Sequence, residues 1–225
     1  MKIGIIGSGN MGRSLGLLWA ERHQVFFGSR DSAKGEAVAA TAGPNALGGS
    51  NDQAAAFSEV LLWTARGVLP SQLLSDPAVL SGKVIIDCNN WEIPADFAYP
   101  PIAESLAEQL AQDAPQAFVV KAFNTMAQEV FELSPSPLQD HRVSAFVAGD
   151  HAPAKATVIG LAAELGFVPV DAGGLRNARL LEGLGDLVRY LIIGQQLGSY
   201  ATLSLQVLPP AATERLGGRQ ASTLY

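Results

Sequence analysis

Gly7-Ser8-Gly9-Asn10-Met11-Gly12 carries glycine at the first, third and sixth of six consecutive positions. An apolar run at 2–7 leads directly into it. A segment with Met11, Leu15 and Leu18 at helical spacing follows. In that setting each glycine has a task. Gly7 permits a tight turn, Gly9 lets the backbone approach a pyrophosphate, and Gly12 lets helix and strand pack closely. The helix start adds free N–H groups and a partial positive charge for the anion. Such a loop marks a dinucleotide site without saying which dinucleotide.

A second group of residues makes that choice. Sites for NAD place a carboxylate after the second strand, about 20 residues on, to hold the ribose 2′-hydroxyl. Here the strand Val25-Phe26-Phe27 runs into Gly28-Ser29-Arg30-Asp31, with no acid directly after the strand. Arg30 offers planar, charge-assisted donors to a phosphate, and the Ser29 hydroxyl adds another. Lys34, one helical turn on, adds charge. Asp31 is either a displaced ribose ligand or a helix N-cap, and the cap role suits aspartate better. The expected cofactor is therefore NADP(H).

The elements needed to hold these groups can be read along the chain. Strands are expected at 2–7, 24–28, 45–48, 60–64, 83–87, 118–123, 143–148 and 167–170. Helices are expected at 11–22, 31–41, 52–58, 101–112 and 153–165, with one long, mainly apolar helix at 175–197. Apolar strands alternating with helices imply an α/β protein: a Rossmann NAD(P)-binding fold with a doubly wound, mostly parallel sheet and a long C-terminal helix. Residues 1–173 form the nucleotide-binding domain, 174–208 a helical extension packed on it, and 209–225 a tail. The apolar circumference of the 175–197 helix suggests a homodimer.

Bulk composition narrows the function. The net charge is −6 over 225 residues, without basic runs, which argues against nucleic acid as a partner. The one cysteine, Cys88, allows no internal disulfide and no cysteine-ligated zinc, and no metal site is expected. No apolar run approaches a membrane span, and the N-terminus lacks a secretory pattern, so a cytoplasmic protein is expected. Strand-end loops in such sheets face the ligand crevice, which points to Asn89 or Asn90 as a cofactor contact. Cys88 reads as a small packed residue. Lys121, inside an apolar strand, is either an edge or snorkelling residue or one that serves the site. Trp19 reads as core, while Trp63 and Trp91 are core residues or borders of an acceptor pocket.

The segments G-S-G-N-M-G-R-S-L-G, V-F-F-G-S-R-D, V-V-K-A-F-N-T and V-D-A-G-G-L-R-N-A-R-L-L-E resemble the NADPH:F420 oxidoreductases. They are equally similar to the NADPH-binding domain of the six-transmembrane ferric reductases. The resemblance covers roughly residues 1–200 and implies hydride transfer between NADPH and a flavin-like ring stacked on the nicotinamide. By position it implies Ser8, Gly9, Asn10 and Met11 on the pyrophosphate, and Ser29, Arg30 and Lys34 on the 2′-phosphate. Thr64, Ala65 and Arg66 fall near the nicotinamide ribose. Asn124, Thr125 and Met126 fall on the acceptor side. The archaeal deazaflavin enzymes carry His-Thr-Ile-Pro where this chain has Asn124-Thr125-Met126-Ala127, and Ile-Pro where it has Ala65-Arg66. The K-A-F-N-T form is closer to the ferric-reductase branch. The small-molecule acceptor is thus coenzyme F420, FMN or FAD. Transfer between two rings needs proximity and exclusion of water, and no catalytic side chain is expected.

Two other readings compete. Pyrroline-5-carboxylate reductases share the N-terminal pattern, but need a larger C-terminal helical domain than this chain offers. A module that senses NADP(H) without turnover is the other.

Overall fold

The paired isoleucines, leucines and valines of the strands are buried on both faces of one sheet. Ile3, Ile5, Ile6, Leu61, Leu62, Ile85, Ile86 and Val120 are each fully buried. Such runs require helices on both sides, and the computed structural model, which describes residues 1–208, supplies them. The expected tail at 209–225 lies outside the described residues.

The elements are β1 (Lys2–Ile6), α1 (Asn10–Ala20), β2 (Gln24–Ser29), α2 (Ser32–Ala42), β3 (Ala46–Ser50), α3 (Asn51–Phe57), β4 (Val60–Trp63), α4 (Pro70–Leu73), β5 (Val84–Asp87), α5 (Leu106–Asp113), β6 (Phe118–Lys121), α6 (Pro135–Asp140), β7 (Ser144–Gly149), α7 (Ala152–Glu164), β8 (Val168–Asp171) and α8 (Ala178–Arg189). The sheet order is β3-β2-β1-β4-β5-β6-β7-β8. Its first six strands are parallel, β7 is antiparallel to β6, and β8 is parallel to β7. The strand order reverses direction between β1 and β4. In open α/β sheets, ligands bind beyond the carboxyl ends of the strands at that point. Among the described residues no helix is long and apolar enough to cross a membrane.

Several boundaries differ from the sequence reading, each for a local reason. The expected helix at 101–112 begins only at Leu106. Ser105 accepts from the Glu108 amide while Glu108 accepts from the Ser105 amide, a capping box that sets the start. Pro100 and Pro101 stay in the irregular segment before it. The strand expected at 118–123 ends at Lys121, because Phe123 takes a left-handed backbone (φ 62°) that no strand accommodates. The C-terminal helix is present but composite. It opens with a 3-10 turn, Leu175–Asn177, continues as α8, and closes with a π-helical turn, Tyr190–Gly194. It ends short of residue 197, where Gln196 and Gly198 both have positive φ. Asp31 caps α2 through the Ala33 amide at 3.2 Å, the helix N-cap role expected of it.

Helix α8 is fastened to the start of α5 at two points. Arg179 binds Glu108 through two hydrogen bonds of 2.7 and 2.8 Å. One turn on, Glu182 accepts from the Leu106 amide at 2.9 Å. The hydrogen bond from Arg179 holds the Glu108 carboxyl well below its ordinary value, at about 2. A depressed carboxyl stabilises the fold above its unfolded pKa and loses that contribution as pH falls through the folded value. The Arg179 side chain is 36% exposed, so solvent screens the pair and its contribution to stability is small. Glu108→Gln, which keeps the capping box, is expected to lower the melting temperature at neutral pH. The gap from wild type should narrow below about pH 4 and close near pH 2. Melting curves across that range check this; a gap independent of pH would remove Arg179 as its cause.

Candidate functional site

The glycine loop joins β1 to α1 with little room to spare. Gly7 has φ 95°. A Cβ on Gly12 would lie 2.3 Å from the Gly7 carbonyl and 2.8 Å from Ile5 Cγ2, so any side chain there would push the helix off the strand. At Gly9 a Cβ would meet nothing within 4 Å, leaving the backbone open to a ligand. The first turn of α1 carries no acidic residue and no side-chain cap, so its first N–H groups are free for an anion. Thr64, just past β4, places its hydroxyl 2.8 Å from the carbonyl oxygens of both Ile6 and Gly7, tying β4 to the loop.

At the far end of the loop, Ser29 closes β2 and is largely buried, while Arg30 and Lys34 are exposed. Neither cation forms an ion pair or side-chain hydrogen bond among the described residues. Both are exposed cations beside the end of β2.

A cavity of about 760 Å³ opens beyond the carboxyl ends of β1, β4, β5 and β6. The structure brings together Gly9, Asn10, Met11, Thr64, Arg66, Asn89, Asn124 and Met126 on its walls. Gly7 and Ser8, the first two residues of the loop, do not line this cavity, and Ser29, Arg30 and Lys34 lie outside it. The Ala65 side chain packs against the apolar cluster on the other side of the sheet. Thr125 is buried and does not line the cavity. Trp63 is core, its indole donating to the Val68 carbonyl, while Trp91 is part-exposed and lines no wall.

The sequence reading missed the opposite wall. Gly185, Val188, Arg189, Ile192 and Ile193 face the cavity from α8 and the π turn. Their spacing of three and four is a helical stripe, visible in the sequence but equally compatible with a dimer seam. Cys88 also lines the cavity. Burial pushes its thiol up to about 12, and Asp87 adds to the effect, so the sulfur stays protonated and is no nucleophile.

Beneath these walls lies a buried ion cluster. Lys121 stands directly opposite Asp87 in the β5–β6 register and is fully buried, so it is neither an edge residue nor a snorkelling one. Its ammonium donates to Asp87 Oδ2 at 2.7 Å, to Glu182 Oε1 at 2.7 Å, and to the Asn89 carbonyl. Burial alone would lower the Lys121 pKa, but the facing carboxylates of Asp87 and Glu182 outweigh it and raise it. Burial raises the Glu182 carboxyl. Asp87 Oδ1 accepts from the Asn89 side chain at 2.7 Å, and that amide also reaches the Trp63 carbonyl at 2.8 Å. Removing one partner from such a cluster typically costs about 3–5 kcal/mol.

Above the cluster, Asn90 and Asn124 bind each other. The Asn90 amide donates to the Asn124 carbonyl at 2.6 Å, and the Asn124 amide donates to Asn90 Oδ1 and to the Leu181 carbonyl, both at 2.8 Å. The strained turn at Phe123 aims Asn124 there. Phe123 is held by Trp19, Phe131 and Phe167 at ring separations of 5.8–6.3 Å. Among the described residues no group of three or more His, Cys, Asp or Glu could hold a metal ion.

Residues 2–91 match the family described as NADP oxidoreductase, coenzyme F420-dependent. Metalloreductase STEAP3 of Rattus norvegicus is 30% identical over 184 residues, covering 81% of this chain and 36% of that protein. The chain thus spans about a third of the length of the metalloreductases it matches. A crystal structure described as a candidate F420-dependent NADP-reductase from Arthrobacter sp. FB24 superposes with TM-score 0.76 at 26% identity, covering 92% of this chain and all of that one. A reductive aminase from Aspergillus terreus, solved with NADPH, superposes with TM-score 0.59 at 20% identity over 87% of this chain and 63% of that one, a likeness of fold alone. Fold and cleft agree with these likenesses: over residues 2–91 the chain matches the family of coenzyme F420-dependent NADP oxidoreductases, and over most of its length it is similar to NADP-dependent oxidoreductases.

Proposed function

We propose that this chain transfers a hydride between NADP(H) and a flavin-like ring held over the nicotinamide, with coenzyme F420 the first acceptor to expect and FMN or FAD the alternatives. The observation that carries this reading is the 760 Å³ cavity, which continues from the glycine loop to Asn124, Met126 and the C-terminal helix. Its size falls within the range of small-molecule sites. The loop and the Ser29–Arg30 end hold the dinucleotide. Met126, Val188, Ile192 and Ile193 offer the apolar surface on which a second ring can lie.

The chemistry asks little of side chains. When bound, NADPH would supply a hydride, a nucleus with its electron pair, for the acceptor ring, with a proton taken from solvent. The protein holds the rings face to face and keeps water from between them. The protonated Cys88 thiol suits a site that must offer no competing nucleophile.

The likeness to metalloreductases favours one second reading, in which electrons pass through a bound flavin to a ferric chelate. A chain that binds NADP(H) without turnover is the remaining alternative. NADPH oxidation measured with F420, FMN, FAD and ferric chelates separates these. Turnover with F420 alone supports the first reading, turnover with a ferric chelate only when flavin is added supports the second, and none with any acceptor sinks both.

Arg30→Ala is expected to weaken NADPH binding by about 1.5–3 kcal/mol, the worth of a charged hydrogen-bond partner, and to leave NADH nearly unchanged. Titration calorimetry with both cofactors checks this, and equal losses would refute the assignment.

We further propose that the chain is a homodimer. Leu180 and Leu187, exposed by 70% and 48%, stand two turns apart on the outer face of α8. Light scattering at micromolar concentration should give twice the chain mass; a monomer mass would contradict the proposal.

A further inference from the structure

We propose that Lys121 is a positioning residue that sets the nicotinamide and acceptor half of the cleft, acting through Glu182 on the helical wall and through Asn89 on the strand-end loop. This rests on the reading of the cleft as a site for NADP(H) and a second ring.

One buried ammonium joins three elements, and Asn124 also bridges two of them, the loop and the helix. The ammonium reaches Asp87 at the end of β5, the Asn89 carbonyl in the loop that follows, and Glu182 on α8. The loop and the helix are the two surfaces that meet at the cavity. Asn89 and Asn90 line it from one side. Gly185, less than one turn after Glu182, lines it from the other and lies directly on the Asn90–Asn124 pair. A Cβ on Gly185 would be 2.5 Å from Asn90 Oδ1 and 2.9 Å from the Asn124 carbonyl. The helix therefore sits as close to the strand ends as backbone allows, and Glu182 holds it there through Lys121, beside the hydrogen bonds from Asn124 to the Leu181 carbonyl and from Arg189 to the Trp91 carbonyl. The fit has one feature that makes it testable. Glu182 Oε1 accepts from both Lys121 and the Leu106 amide, while Oε2 has no partner among the described residues. A glutamine can keep every hydrogen bond that the glutamate makes.

The adenosine half of the cofactor depends on a different part of the molecule. Ser29, Arg30 and Lys34 stand at the end of β2 and in α2, with two strands, β1 and β4, between β2 and β5. Loss of the Lys121 tether should therefore split the cofactor's two halves.

The test uses the full chain and compares NADPH with 2′,5′-ADP, which carries only the adenosine half. In Lys121→Met and in Glu182→Leu, affinity for 2′,5′-ADP should stay within about twofold of wild type, as for a distant, independent site. Affinity for NADPH, or kcat/KM for the acceptor, should fall about tenfold to a hundredfold, as when a reacting group is displaced by an ångström. The fluorescence gained by the dihydronicotinamide on binding should drop with it. Glu182→Gln should behave as wild type. Parallel losses for both ligands would overturn the proposal in favour of general destabilisation, and so would no loss for either. A Glu182→Gln variant as impaired as Glu182→Leu would also overturn it. If Lys121→Met does not fold, the two Glu182 variants decide alone. If wild type reduces no acceptor, the proposed function fails, while the split between NADPH and 2′,5′-ADP still decides the role of Lys121.

Discussion

A charged ammonium with no access to water must be surrounded by acceptors, and Lys121 meets that demand by gathering pieces that are distant in sequence. Its partners come from residues 87, 89 and 182. Each is held in turn. Asp87 fixes the Asn89 amide, and Glu182 caps the start of α5. The end of β5, the loop after it, the start of α5 and the C-terminal helix are thereby set by one desolvated charge. An apolar residue of similar volume could fill the same space with comparable stability. It would not specify where the helix lies.

The two halves of the cleft are built on different principles. The dinucleotide half relies on backbone: a left-handed glycine at residue 7, a helix that touches its strand at Gly12, and a helix start with nothing capping it. Backbone geometry of that kind is local and needs few residues. The other half relies on side chains from separated elements: Asn90 and Asn124 bound to each other, α8 pressed on them at Gly185, and Phe123 kept in a strained conformation by three aromatic rings.

The π turn at Tyr190–Gly194 belongs to the second half. Ile192 and Ile193, at its centre, line the cavity. Local changes of helical pitch occur often at functional sites, where they re-aim side chains that a regular helix would point elsewhere.

The sequence by itself determined what local chemistry can encode. The glycine loop follows from spacing, the choice of NADP(H) from a Ser-Arg pair where an acid would otherwise stand, and the α/β class from apolar strands alternating with helices. These depend on residues within one βαβ unit, so their signals lie close together in the chain. Element ends were less legible where side chains compete locally, as at Ser105 and Glu108, which start α5 later than Pro101 suggests. Only the tertiary structure decided which residues form the helical wall of the cleft and which groups Lys121 binds. A lysine in an apolar strand reads alike whether it lies on an edge or inside the sheet. The difference is made by Glu182, 61 residues away, and by a helix whose buried face has the same spacing as an exposed one. Burial of a charge is a property of the whole fold, and so is the cleft built above it.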